Sequence, residues 1–283
     1  MRGSPSARGL QAEGGRTNAI ARKPHHRGGA MISDVERGVK KDLPPHDQNL
    51  IRYGFGGISV QLRTDAQVFL PRLTTKIIAD CLTIEAGVDV LDLGCGSGPL
   101  GIFAAMKGAR SVTCVDIMPE ACSLARCNAT LNGVSEKVQV VESDLFEAIK
   151  GRQFDIIVDD VSGIAEEVAR ISSWYPEPIP TGGRDGTVPV LRMLDAVMDH
   201  LKPCGKLFLP ISSLSCLPRI VKKARDQFGS HLELLVDRMI PFSPELYTHR
   251  ERLERLREEG LIDFIPKNSR CLWNLKVFVG TKT

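Results

Sequence analysis

The sequence predicts an α/β chain built on one mostly parallel sheet, and three observations carry that expectation. From residue 89 onward, short apolar segments alternate with longer segments of helical spacing. The short segments are apolar throughout, as strands buried on both faces must be. The helical segments are punctuated at their ends: Pro99 and Pro119 stand at first-turn positions, where the missing N–H costs nothing, and Asn132-Gly133 follows the second helix as a left-handed stop. Seven strands are expected: Asp89–Leu93, Ser111–Val115, Val138–Val141, Phe154–Asp159, Lys206–Pro210, Leu232–Ile240 and an antiparallel last strand, Leu272–Val279. The helices between them are Pro99–Lys107, Pro119–Leu131, Val188–Leu201 and Pro218–Phe228. In the third, Leu191, Leu194, Met198 and Leu201 form a core stripe. Such a doubly wound sheet binds ligands beyond the carboxyl ends of its strands.

The region before this sheet divides in two. Residues 1–48 are rich in Gly, Arg and Pro and have no apolar periodicity, which predicts a disordered basic tail. A transit peptide, a nucleic-acid arm and an unstructured or mis-assigned start compete for it, with Met31 a candidate initiator beside Met1. Residues 49–87 read as a cap segment on the substrate side, with strands Ile58–Leu62 and Gln67–Leu70 and a helix Leu73–Leu82. Residues 88–283 make the main domain. Late in the chain, Ser243-Pro244-Glu245 opens a charged helix, Pro244–Glu259, that stops at Gly260. A lid, a partner surface and a plain solvated helix all fit it.

Composition narrows the function. The 283 residues carry 37 basic and 34 acidic side chains, net +3. The first 30 hold six Arg and Lys against Glu13 alone, which leaves −2 on residues 31–283. A broad phosphate-binding surface on the folded body is therefore not expected, nor is a nucleic-acid partner. No apolar run approaches a membrane span. Eight scattered cysteines without a C-x-x-C pair point to a reducing cytoplasm and to no metal site. The six histidines show no ligand spacing; His200 reads as a helix end.

The chemistry sits in Val90-Leu91-Asp92-Leu93-Gly94-Cys95-Gly96-Ser97-Gly98-Pro99, an apolar strand running through a glycine turn into a helix start. Such a turn brings backbone N–H groups and a positive helix end against a ligand. The dinucleotide pattern G-x-G-x-x-G fails from Gly94 and fits only from Gly96, two residues late. An S-adenosylmethionine turn fits better, because Asp92 precedes the first glycine and can face a cationic ammonium group. Asp116 ends the next strand, placed to accept ribose hydroxyls, and Asp144 follows the third, placed for an adenine amino group.

With these residues in view, the chain resembles the class I S-adenosylmethionine-dependent methyltransferases over about residues 50–283. Within them it is most similar to the HemK-type group, the release-factor glutamine methyltransferases and their small-molecule relatives. Val68-Phe69-Leu70-Pro71-Arg72 and Gly182-Gly183-Arg184-Asp185-Gly186 carry the narrower likeness. The resemblance implies a Rossmann-like sheet. It implies a cofactor site of Asp92, Gly94, Cys95, Gly96, Asp116, Ile117, Ser143, Asp144, Leu145 and Asp159, and Pro71 and Arg72 on the substrate side.

One departure bears on the acceptor. The group ends its fourth strand in Asn-Pro-Pro-Tyr; here Asp160, Val161, Ser162 and Gly163 stand in those places after Asp159. An Asn both donates and accepts, whereas an ionised Asp only accepts. That suits an amine or guanidine better than a glutamine amide, with Asp160 orienting the nitrogen or taking its proton. The long segment 162–187 adds Trp174 and Tyr175 as candidate pocket walls and Glu177 as a second carboxylate for a cationic substrate. The expected activity is methyl transfer to nitrogen on a small molecule or amino acid. A protein or peptide methyltransferase and a non-catalytic S-adenosylmethionine-binding module remain open, with a nicotinamide enzyme more distant.

Overall fold

The computed structural model describes residues 49–267 and 270–283. The predicted tail, residues 1–48, lies outside the described residues. The chain begins with a hairpin of β1 (Leu50–Phe55) and β2 (Ile58–Arg63), then α1 (Leu73–Cys81). Next come β3 (Asp89–Leu93), α2 (Pro99–Lys107), β4 (Ser111–Asp116), α3 (Pro119–Leu131), β5 (Val138–Glu142) and β6 (Phe154–Asp159). The second half holds α4 (Glu166–Arg170), α5 (Val188–His200), β7 (Leu201–Ser212), α6 (Leu217–Phe228) and β8 (Leu232–Pro241). It ends with α7 (Pro244–Thr248), α8 (Arg250–Glu258), β9 (Ile265–Lys267) and β10 (Arg270–Thr281).

The main sheet runs β5-β4-β3-β6-β7-β10-β8. β3, β4, β5, β6 and β7 pair in parallel, and β10 runs antiparallel to both β7 and β8. This is the expected Rossmann-like seven-stranded sheet with an antiparallel last strand, extended by an eighth, three-residue strand, β9, on β10. The order reverses between β3 and β6, which places the ligand crevice beyond their carboxyl ends.

Alternation along β3 separates two cores. Val90 packs with α2 and α3 residues such as Ile102, Phe103 and Ala125. Leu91 and Leu93 point the other way, onto Met193, Leu194 and Val197 of α5 and Ile220 of α6. Pro99 and Pro119 sit in the first turns of their helices, and Gly133, at φ 68°, takes the left-handed position after α3. His200 does end α5; its Nδ1 meets the Arg152 carbonyl at 2.8 Å, and its ring stacks on Phe146.

Two expectations fail. Gln67–Leu70 is not a strand. Asp65 accepts the Gln67 N–H at 2.8 Å and its carbonyl accepts the Val68 N–H, so the segment is a turn. The partner of Ile58–Arg63 lies upstream, joined through Gly56-Gly57, both at positive φ as a two-residue hairpin turn requires. Asn132 exchanges hydrogen bonds with Gln61 of this hairpin, and Asn128 with Arg63, which docks the hairpin on α3.

The 243–264 region is two short helices, α7 and α8, instead of one. Ser243 caps α7 as expected, accepting the Leu246 N–H at 3.2 Å. Leu246, Leu253 and Leu256 are buried with Ala165, Val168 and Leu214, so one face of each helix packs on the body while the rest is open to solvent.

Candidate active site

Four carboxylates meet where β3, β4 and β6 end. Gly94 and Cys95 both donate to the Val115 carbonyl, which folds the glycine turn across the end of β4. Gly94 is at φ 77°, and a Cβ there would come within 2.9 Å of the Asp160 carbonyl and the Val161 backbone. Only glycine lets the turn and the segment after β6 pass this closely. Gly96, at φ 53°, faces open space instead.

Asp92 is buried, and its Oδ2 accepts the Gly101 N–H of α2 at 2.7 Å. Its Oδ1 has no partner. Asp116 accepts the Gly96 N–H at 2.8 Å and the Met118 N–H at 2.9 Å, one on each oxygen. Asp159 is buried with an unpartnered Oδ1, and Asp160, partly exposed, follows it. Burial raises all four. Asp92 is pushed up to about 7, with the Asp116 charge adding, and Asp159 to about 8. Asp116 rises as well. The Asp160 carboxyl, though the residue is partly exposed, is raised well above its usual value, through desolvation first and then the charges of Asp92, Asp159 and Asp116. Such a cluster favours a cation.

Among the described residues, four buried side-chain oxygens lack a partner, and three of them are Asp92 Oδ1, Ser97 Oγ and Asp159 Oδ1. Buried polar atoms are normally satisfied, so unmet acceptors at the glycine turn mark a place for a ligand with N–H or O–H groups. A sulfonium ligand with an ammonium group meets that description. Asp92 and Asp159 would face its amino-acid part, and Asp116 keeps lone pairs for ribose hydroxyls. Among the described residues, no three His, Cys, Asp or Glu side chains are grouped to hold a metal.

The adenine side is less simple. Asp144 is engaged by Arg192 of α5 through both oxygens, at 3.1 and 2.9 Å. Leu145 is held at φ 51°, a costly conformation for leucine, beside it. Ile117 is 47 % exposed, a large apolar side chain left open at the end of β4. Ser143 is buried, and its hydroxyl accepts the Ala148 N–H, so it serves its own turn. The Cys95 thiol is turned into the core against Cys114 and leaves only its backbone to a ligand.

The acceptor side combines expected and unforeseen residues. Pro71 is buried and Arg72 exposed at the start of α1. Tyr175 is buried: its hydroxyl donates to the Pro180 carbonyl at 2.7 Å and bonds the Ser162 hydroxyl, and its ring meets Phe69 edge-on at 4.9 Å. It locks loops together instead of offering a free face to a cation. Trp174 packs beside it, half-buried. Glu177 is exposed, and its side chain makes no ion pair among the described residues. Sequence reasoning missed Ser97, Ser162, Arg192 and Glu245. Ser97, Ser162 and Glu245 lie within segments already singled out, but the fold alone joins Ser162, Arg192 and Glu245 to their partners.

With this geometry in place, comparison with known proteins sets the class. The Methyltransferase small domain model matches residues 60–160. A Methanocaldococcus jannaschii protein bearing the name "Putative protein N5-glutamine methyltransferase" is 30 % identical over 195 residues, covering 69 % of this chain and 96 % of that one. The release factor glutamine methyltransferase of Shewanella oneidensis is 30 % identical over 148 residues, 50 % of this chain and 51 % of that protein. The chain thus spans about half the length of that relative. Among solved structures, the T. thermophilus 16S rRNA N2 G1207 methyltransferase has a TM-score of 0.54 at 17 % identity, covering 86 % of this chain and 53 % of that one. The M. jannaschii tRNA m1G37 methyltransferase has 0.51 at 16 %, covering 83 % and 55 %. These two likenesses carry the fold alone. The chain belongs to the class I S-adenosylmethionine-dependent methyltransferases, in the group that includes the HemK-type glutamine enzymes.

Proposed function

We propose that the protein transfers a methyl group from S-adenosylmethionine to an amine or guanidine nitrogen of a small molecule or amino acid. The observation that supports this reading is the carboxylate cluster at the end of β6. Asp160 stands where the HemK-type motif has Asn, and burial and three neighbouring carboxylates raise its pKa. S-adenosylmethionine, when bound, supplies an electrophilic methyl group on a sulfonium sulfur. The chain's own residues then bind, orient and exclude water. Asp116, Asp92 and the Gly94–Gly98 turn hold the donor. Asp160 accepts an N–H of the acceptor and aims the lone pair. Its raised pKa suits it to receive the proton that the nitrogen loses. A carboxylate in this place, unlike an amide, also favours a cationic acceptor.

A second reading, methylation of a protein glutamine, is supported by the M. jannaschii relative, nearly all of which this chain matches. Labelled S-adenosylmethionine incubated with protein and cell extract separates the two when small-molecule, protein and nucleic-acid fractions are counted and the product identified. Label on an amine or guanidine nitrogen in the small-molecule fraction is expected. Label on glutamine amides, or on nucleic acid, overturns the proposal. Donor binding without any transfer leaves a non-catalytic binding module.

A further inference from the structure

The segment after β6 and the α7–α8 region are far apart in sequence, yet they are bonded side by side. Glu245 of α7 accepts the Ser173 N–H at 2.7 Å and the Ser173 hydroxyl at 3.0 Å, across 72 residues. Arg252 of α8 donates to Glu167 at 2.5 Å, and Arg184 donates to Glu259 at 2.9 Å. Beneath these polar ties, Leu246, Leu253 and Leu256 are buried on Ala165 and Val168. From Ser173 the connection continues toward the site. Two residues on, Tyr175 donates to Pro180 and bonds the hydroxyl of Ser162. Ser162 is two residues past Asp160, whose own N–H donates to Leu93 at 2.9 Å.

We infer that Glu245 is a positioning residue for the methyl acceptor, holding the Ser173–Tyr175 segment and, through Tyr175 and Ser162, the strand end that carries Asp160. This rests on the proposed nitrogen transfer. Three buried leucines already seat α7 and α8, so Glu245 is not needed to hold them on the body. What its carboxylate alone supplies is the pair of bonds that fixes Ser173. Those bonds act on the acceptor side: the Glu245 carboxylate bonds Ser173 and none of the residues assigned to the donor at the ends of β3, β4, β5 and β6. The carboxylate fixes both a backbone N–H and a hydroxyl, so it sets the path of the chain as well as a rotamer.

The test uses the full chain, with Glu245→Ala and Glu245→Gln beside the parent protein. The acceptor probe is the small-molecule fraction of a cell extract, serially diluted against labelled donor. Donor-site affinity is read by titration with S-adenosylhomocysteine. In Glu245→Ala the half-saturating amount of the fraction should rise on the order of tenfold, as small misplacements of a reacting geometry do. S-adenosylhomocysteine affinity should stay at the parent value. Glu245→Gln keeps an acceptor oxygen for the N–H and an amide N–H for the hydroxyl, so it should restore half-saturation. An unchanged half-saturation in Glu245→Ala, an equal loss of S-adenosylhomocysteine affinity, or a Gln variant as weak as Ala overturns the role of Glu245. No transfer by the parent protein overturns the proposed function and this role with it. Transfer by the parent with an unaffected Ala variant overturns the Glu245 role alone.

Discussion

The proposed donor side and the proposed acceptor side of this site are built by different means. On the donor side each working group lies within a few residues of a strand end. Asp92 bonds Gly101 nine residues on, and Asp116 bonds Gly96 twenty residues back, across one strand pairing. On the acceptor side the contacts cross the molecule: Glu245 to Ser173, Arg252 to Glu167, Arg184 to Glu259 and Tyr175 to Phe69. A turn that must bring backbone onto a cofactor has few solutions, because glycine and strand-end geometry dictate it. A wall for one acceptor can be assembled from any loops that reach. On the proposed assignment, the donor side is therefore the more constrained part of the site and the acceptor side the freer one.

The strongest way to break that division is Asp160→Asn, which restores the residue type of the HemK-type motif on an otherwise unchanged site. The shape stays and the group able to take up a proton goes. Methyl transfer to the amine-bearing acceptor should fall about 10²- to 10⁴-fold, while S-adenosylmethionine affinity in calorimetric titration stays put. Parent-level turnover in both Asp160→Asn and Asp160→Ala would reduce Asp160 to a loop residue and remove the reason for an amine acceptor.

Asp116→Ala probes the other side. It removes the acceptor expected for ribose hydroxyls and frees the Gly96 and Met118 N–H groups. The loss of charge-assisted hydrogen bonds should cost about 1.5–3 kcal/mol of donor affinity, or about 12- to 150-fold. Acceptor half-saturation at saturating donor should not move. Unaltered donor affinity would take Asp116 out of the site.

These two sides were also unequally legible in the sequence. The strand ends, the glycine turn, Asp92, Asp116 and Asp144 are legible from apolar strand runs, the glycine motif and period-3.6 helices, because their geometry is local; Asp159 and Asp160 follow from the resemblance to the HemK-type motif. The upstream hairpin was misread although Gly56-Gly57 carried a turn signal, since Gln67–Leu70 offered a second apolar run. Tyr175 could be singled out as an aromatic in a long loop. That its hydroxyl closes on Ser162 depends on a chain path that no periodicity encodes. Glu245 lay inside a recognised helix start, yet its partner is 72 residues away. Nor did patterning reveal that Arg192 reaches Asp144 from the next helix but one.

The charge on the donor side predicts a pH dependence. Asp92 and Asp159 bind protons more tightly when folded, up to about 7 and 8, than they do unfolded, near 3.8. Between those limits the folded chain holds protons that the unfolded chain has released. Their contribution to stability is therefore full near pH 4 and is lost as pH rises through 7 and 8. The ligand-free protein should melt a few degrees lower at pH 8.5 than at pH 6, and Asp159→Asn should flatten that slope. S-adenosylmethionine, whose ammonium group favours the ionised carboxylates, should reduce the drop. A melting temperature that climbs over the same range in the ligand-free parent would show that these carboxyls are already ionised in the fold.

The smallest expected effect tests whether Asp144 belongs to the donor side at all. Arg192 holds both Asp144 oxygens, but the pair is exposed, with about half of each side chain open to solvent. Exposed pairs of this kind are worth only about 0.2–1 kcal/mol. If Asp144 accepts the adenine amino group, that group competes with Arg192 for oxygen lone pairs, and removing the guanidinium lowers the competition. Arg192→Ala should then raise S-adenosylmethionine affinity by about 1.5- to 5-fold. The gain should vanish in the Arg192→Ala, Asp144→Ala double variant, since nothing is left to release. A weaker affinity in Arg192→Ala gives the opposite assignment, with the guanidinium itself packed on the adenine ring as the contact that matters. An identical affinity in parent, single and double variants would detach both residues from the donor and leave the adenine to Ile117 and Leu145, the apolar side chains at the ends of β4 and β5.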